Sequence, residues 1–129
     1  MSQTINSETK TSPFVMRMPA AFWWTVRVPL PAENDYQVAT LDLQFKPLPQ
    51  ARIDQFRGIG LAEGQTLPSE REICHEVVCG WRNLPDEAGV VQPFGSERLD
   101  QLLDVPVVRP SIVATYLAVM SGMGARKNA

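Results

Sequence analysis

The chain has 129 residues, which is enough for one domain of ordinary size and short for two. Apolar residues make up 44% and charged residues 20%, and 12 basic against 14 acidic side chains leave a formal net charge of −2. This composition is typical of a globular protein with its own core, and it excludes the strongly basic surface by which proteins attract nucleic acid or anionic lipid.

Neither a membrane span nor a secretion signal is visible in the sequence. The longest apolar runs, AAFWWTV and IVATYLAVM, fall short of the roughly 20 residues that a crossing helix needs. The polar start, MSQTINSETKTSP, lacks the apolar core of a signal peptide. We therefore expect a cytoplasmic protein with no membrane association, in which the two cysteines are thiols. We predict a flexible lead at residues 1–12, one domain at 13–123 and a flexible basic tail at 124–129.

Two segments near the N-terminus alternate between apolar and polar residues. In FWWTVRVPL, Trp24, Val26 and Val28 share one side, and the segment YQVATLDLQF alternates in the same way after the turn cluster PAEND. Together they predict an antiparallel β-hairpin. Pro29 has no N–H to donate, which places it at a sheet edge or at the end of its strand.

The rest of the chain predicts short helices. Ser69-x-x-Glu72 is a capping box, and the apolar stripe of the helix after it continues to Trp81. Ser96 is placed to cap a further helix, and Pro110 opens the longest one. A lone hairpin is marginal in water, so we predict an α+β fold in which three to four short C-terminal helices pack against the hairpin or a small sheet built on it.

The cluster Cys74, His75 and Cys79 decides whether the chain is expected to be an enzyme. On a helix the two cysteines point about 140° apart, which excludes a disulfide between them. His75 and Cys79 could share a metal ion, but Glu72 or Glu76 would have to complete the site, because Cys74 belongs to the apolar stripe and the chain has no further His or Cys. A thiolate near a helix C-terminus also lacks the favourable dipole. We therefore predict no catalytic residue, no metal and no cofactor, with a small thiol or metal enzyme as the least favoured alternative.

Aromatic and acidic residues outside this cluster are candidates for contact with a partner protein. Trp23 and Trp24 are neighbours on a strand, so their side chains lie on opposite faces; one can be in the core, and the other is covered by a helix or by a partner. Phe14 and the acidic turn Asp86–Glu87 complete the candidate set. Few basic residues interleave with the aromatics, which argues against a nucleic-acid partner.

Three stretches of the sequence, in order, resemble a known family. They are TLDLQFKPLPQARIDQF, then EVVCGWRNLPDEAGVVQPFGSERLDQLLDVP, and a final helix that ends in ARKN. Together they cover roughly residues 36–128, and in this order they resemble the tail assembly chaperones of long-tailed bacteriophages or a prophage-encoded relative.

The resemblance implies a non-enzymatic function in phage assembly. Such a protein would coat the tape-measure protein in the host cytoplasm, help recruit tail-tube subunits, and be absent from the mature virion. Arg-Lys-Asn near the C-terminus can be encoded with A-AAA-AAC, a run on which ribosomes slip. A longer, frameshifted form of the chain is therefore a further expected partner. The sequence also allows a homo-oligomer. The alternative is another small phage structural module, either a head–tail connector or a tail-terminator-like protein.

Overall fold

A computed structural model describes residues 11–123 of the chain. The elements in chain order are β1 (Phe22–Ala32), β2 (Asp35–Phe45), α1 (Gln50–Phe56), α2 (Glu70–Val77), β3 (Val78–Arg82), α3 (Ser96–Leu103) and α4 (Val108–Met120). The strands form one antiparallel sheet in the order β1-β2-β3, which confirms the predicted α+β class. The predicted basic tail and all but the last two residues of the predicted lead lie outside the described residues.

The hairpin forms as its alternating pattern predicts. β1 and β2 pair along all of their residues, starting with Phe22 opposite Phe45. Asn34 in the two-residue turn has a φ of 58°, a left-handed conformation that asparagine tolerates better than most residues. Pro29 lies in β1, which is an edge strand, as its missing N–H predicts.

Residues 78–82 form a strand, so the prediction of a helix continuing to Trp81 was wrong. Helix α2 ends at Val77, and Val78 has the extended backbone angles φ −90° and ψ 120°. β3 then pairs with β2, with Trp81 opposite Leu43. Consecutive valines and a tryptophan suit a strand as well as a helix, and the free edge of β2 offers this segment a full set of backbone partners.

The two local cap predictions had different outcomes. The capping box is confirmed, because the Glu72 N–H donates to Ser69 Oγ at 3.1 Å and the Ser69 N–H donates to Glu72 Oε1 at 2.8 Å. Ser96 is the first helical residue of α3 and Gly95 occupies the cap position with no side-chain hydrogen bond, so the cap predicted at Ser96 was wrong. A helix can begin without a side-chain cap when packing of its apolar face supplies the stability.

The core lies between one face of the sheet and the helices. The strands contribute Val26, Val28, Leu41, Leu43, Phe45, Val78 and Trp81. The helices contribute Ile53, Phe56, Ile73, Cys74, Val77, Leu99, Leu103, Val108, Ile112 and Tyr116. The alternate strand residues Thr25, Arg27 and Thr40 are exposed on the opposite side of the sheet, which we call the outer face. The apolar side chains whose burial stabilises this fold therefore lie on the helix-covered face of the sheet.

The last helix, α4, contributes most to covering the sheet. It starts two residues before Pro110, and Ile112 and Tyr116 are fully buried. Proline is tolerated there because the first four N–H groups of a helix have no partner within the helix. Within residues 11–123 no single helix has the length and hydropathy to cross a membrane, and α3 and α4 would satisfy those criteria only as a pair bent by 106°.

Candidate partner-binding surface

Trp23 projects from the outer face of the sheet, where residues from all three strands surround it. The guanidinium of Arg82 lies over the indole ring, with Cζ 4.2 Å from the ring centroid. Arg82 Nε is 3.9 Å from Asp42 Oδ2, and Thr25 Oγ1 donates to Asp42 Oδ1 at 2.7 Å. These residues line an open depression of about 320 Å³, and Trp23 stays 39% exposed within it. The cation–π contact therefore holds a large aromatic side chain on the surface.

Trp24 lies on the core side of the same strand, opposite Leu43, and yet it is 47% exposed. Its neighbours on that side, Val26 and Val28, are completely or almost completely buried. All three residues lie on the edge strand β1, and Trp24 is the one of them nearest the start of the strand. Neither tryptophan is therefore a core residue, and both are partly exposed, one on each side of the sheet edge.

Phe14 lies in an exposed stretch that leads into β1. Every residue from 11 to 20 is exposed, and none of them is in a helix or strand. The exposed fractions of Phe14, Val15, Met16 and Met18 are 86%, 60%, 92% and 57%. We call residues 14–18 the apolar segment. A run of large apolar side chains with this exposure is typical of a surface that another molecule covers.

The acidic turn has a structural role that the sequence prediction missed. Asp86 Oδ1 accepts hydrogen bonds from the N–H groups of Ala88 and Val90, both at 2.9 Å, and Asp86 Oδ2 accepts from Gln92 Nε2 at 2.8 Å. Glu87 is exposed at the tip. Aspartate at the first position of a turn with glycine at the fourth is a known turn signal, and it would have predicted this role. The Asp86 carboxylate is thus engaged within its own loop.

Trp81 and Phe94 anchor this loop to the sheet. Their rings meet edge to face with centroids 5.0 Å apart, and Trp81 Nε1 donates to the Gln92 carbonyl at 2.8 Å. Trp81 is buried, as expected from its apolar pattern, whereas Phe94 keeps 38% of its surface exposed. The contact therefore fixes the loop without enclosing it.

The two thiols and the imidazole have different surroundings in the structure. Cys74 is buried on α2, and burial raises the pKa of its thiol to about 12. Cys79 lies on β3, so the helical spacing that would join it to His75 does not exist. His75 Nε2 is 2.6 Å from Asp100 Oδ1, and this hydrogen bond, with that from Arg71, lowers the pKa of Asp100. No three His, Cys, Asp or Glu side chains of residues 11–123 are placed to hold a metal ion.

No protein-family model, curated protein or solved structure matches this chain. The most distinctive features of the chain's own geometry are the apolar segment and the two exposed tryptophans that follow it, at the start of β1.

Proposed function

We propose that this protein is a non-enzymatic tail assembly chaperone, which binds the tape-measure protein of a long-tailed phage and helps recruit tail-tube subunits. The observation that carries the proposal is the apolar segment, in which four large side chains within five residues are exposed. Trp23 and Trp24 follow closely in the chain and extend this apolar surface onto the sheet edge.

The chemistry of the apolar segment suits a partner that is long, apolar and variable in sequence. Met16 and Met18 have unbranched, polarisable side chains that adapt to irregular surfaces. Phe14 and the nearby tryptophans supply large contact areas with few rotatable bonds. A chaperone gains from this combination because it must cover many different stretches of its client without demanding one sequence.

The remaining parts of the proposal rest on the resemblance. The protein acts in the host cytoplasm and leaves before the virion is complete. A frameshifted, longer form of the chain carries the same apolar segment and is a further partner.

Co-expression with the tape-measure protein of the same phage tests the proposal. The double variant Phe14→Ser/Met16→Ser removes two of the most exposed apolar side chains from the apolar segment. We expect the yield of soluble tape-measure protein to fall at least about fivefold, because most binding energy at such surfaces comes from a few large side chains. A matched control is Ile59→Ser/Val105→Ser, which removes two exposed apolar side chains elsewhere and should leave the yield unchanged.

Two outcomes would contradict the proposal. One is an equal effect of the two double variants on the soluble yield of the tape-measure protein. The other is recovery of this chain in stoichiometric amounts from purified virions, which would favour a head–tail connector or a tail terminator.

A further inference from the structure

The backbone groups along β1 divide into two sets with different partners. The Lys46 N–H donates to the Val77 carbonyl at 2.8 Å, so the backbone of Lys46 points towards β3. Because the direction of the backbone N–H and C=O groups alternates along a strand, those of Phe45 and Leu43 point towards β1. A two-residue hairpin turn, which closes on a hydrogen-bonded pair, requires the same alternation. The N–H and C=O groups of the β1 residues Trp23, Thr25 and Arg27 therefore point away from the sheet.

The same alternation explains where the prolines of β1 lie. Pro29 and Pro31 occupy outward positions, where a missing N–H removes no bond to β2. Prolines at outward positions also prevent another strand from pairing, which is a common protection of sheet edges. The stretch from Phe22 to Val28 has no such protection. Within residues 11–123, no backbone group hydrogen-bonds to the outward groups of this stretch.

We propose that this open stretch of β1 pairs antiparallel with the same stretch of a second copy of the chain. The proline-free residues 22–28 are centred on Thr25, so a two-fold axis at Thr25 keeps the prolines of both copies outside the paired region. Outward residues then form about six hydrogen bonds between the copies, and the two three-stranded sheets become one of six strands.

The side chains at this edge match each other in that register. On the outer face, Trp23 lies opposite the partner's Arg27, so its ring gains a second guanidinium on the side away from Arg82. On the core side, Trp24 lies opposite the partner's Val26 and loses exposed area. The two Arg27 side chains do not face each other, because each is paired with a tryptophan. Self-complementarity of this kind favours a second copy over an unrelated strand.

Substitution at the two-fold axis tests the pairing. Thr25→Pro removes the outward N–H at the centre of the interface and no hydrogen bond of the hairpin ladder. Thr25→Val is the matched control, since it also loses the bond to Asp42 but keeps the N–H. Light scattering over a range of concentrations should show a dimer whose dissociation constant rises at least about tenfold in Thr25→Pro and less than about threefold in Thr25→Val. A chain that stays monomeric at every concentration overturns the proposal.

Amide hydrogen exchange on the unaltered full chain locates the interface. Protection of the Trp23, Thr25 and Arg27 amides should increase with protein concentration, whereas the amides of Trp24 and Val26, already bonded to β2, should not respond. A dimer without this alternation pairs elsewhere and also overturns the proposal. If Thr25→Pro loses its far-UV circular dichroism, the exchange pattern decides alone. Neither experiment alters the apolar segment, so the proposed chaperone function is tested separately.

Discussion

The hydroxyl of Tyr116 donates a hydrogen bond of 2.8 Å to the backbone carbonyl of Lys46 and so connects α4 to the end of β2. Tyr116 is fully buried, and its ring centroid is 5.4 Å from that of Phe45. One side chain thus fills the core and satisfies a carbonyl at the end of the strand. This contact joins residues 70 positions apart, and it ties the helical layer to the sheet.

Removing the hydroxyl of Tyr116 should destabilise the fold. Tyr116→Phe keeps the ring but leaves the Lys46 carbonyl without this donor, and we expect the free energy of unfolding in urea to fall by about 1 kcal/mol. Tyr36→Phe is the control, because Tyr36 is 67% exposed and should show no change. Equal stability of the two variants would mean that the buried hydrogen bond makes no net contribution to the free energy of unfolding.

The two predicted caps can be separated by experiment. Ser69→Ala removes half of a capping box and should lower the free energy of unfolding by about 1 kcal/mol. Ser96→Ala should change it by less than about 0.5 kcal/mol, because Ser96 is inside α3 and makes no cap hydrogen bond. Urea unfolding of both variants is the measurement, and a larger loss in Ser96→Ala would contradict the cap assignment.

A side chain at Gly80 should conflict with Gln44 on the outer face. A Cβ at position 80 would lie 2.9 Å from Gln44 Oε1 and 3.3 Å from Gln44 Cβ. We expect Gly80→Ala to cost about 1 kcal/mol of stability. In a Gln44→Ala background the cost should fall by at least about 0.5 kcal/mol, since the clashing amide is gone. A double-mutant cycle in urea measures this coupling, and a coupling energy of zero would rule out the contact as the cause.

Stability should decline at alkaline pH because of Cys74. Burial raises the pKa of its thiol from an ordinary value of 9.0 to about 12. The unfolded chain therefore releases this proton at a lower pH than the folded chain, so the stabilisation is complete below pH 9.0 and is lost as the pH rises towards 12. We expect the free energy of unfolding to fall by about 1 kcal/mol per pH unit once the unfolded thiol ionises.

Urea unfolding between pH 9 and pH 10 emphasises this effect, because Tyr116, whose pKa burial also raises to about 12, adds most of its own contribution above its ordinary value of 10.0. Cys74→Ala should flatten the decline in this interval. Ile73→Val, which also removes core volume but no titratable group, should keep it. An unchanged slope in Cys74→Ala would show that the thiol is not responsible.

Local sequence patterns determined much of the architecture. The alternation around Val26 and Val28 specifies a half-buried strand, and a hairpin follows because its partner strand is close in sequence. The capping box at Ser69 and Glu72 marks the start of α2 with two hydrogen bonds between neighbouring residues. These features are predictable because the interactions that produce them span only a few residues of the chain.

Tertiary contacts decided what these patterns leave open. Val78 to Arg82 has an apolar pattern that fits a helix or a strand. The available edge of β2 selected the strand, so Cys79 and His75 do not have the spacing of residues on one helix. The exposure of Trp24 is not encoded in its own sequence pattern, because the buried Val26 and Val28 share that pattern. The sequence by itself thus determined an α+β chain with a hairpin and the capped start of α2, because those rest on local hydrogen bonds and periodicity. Only the tertiary structure decided which aromatic side chains remain on the surface, because burial depends on contacts between residues distant in the chain.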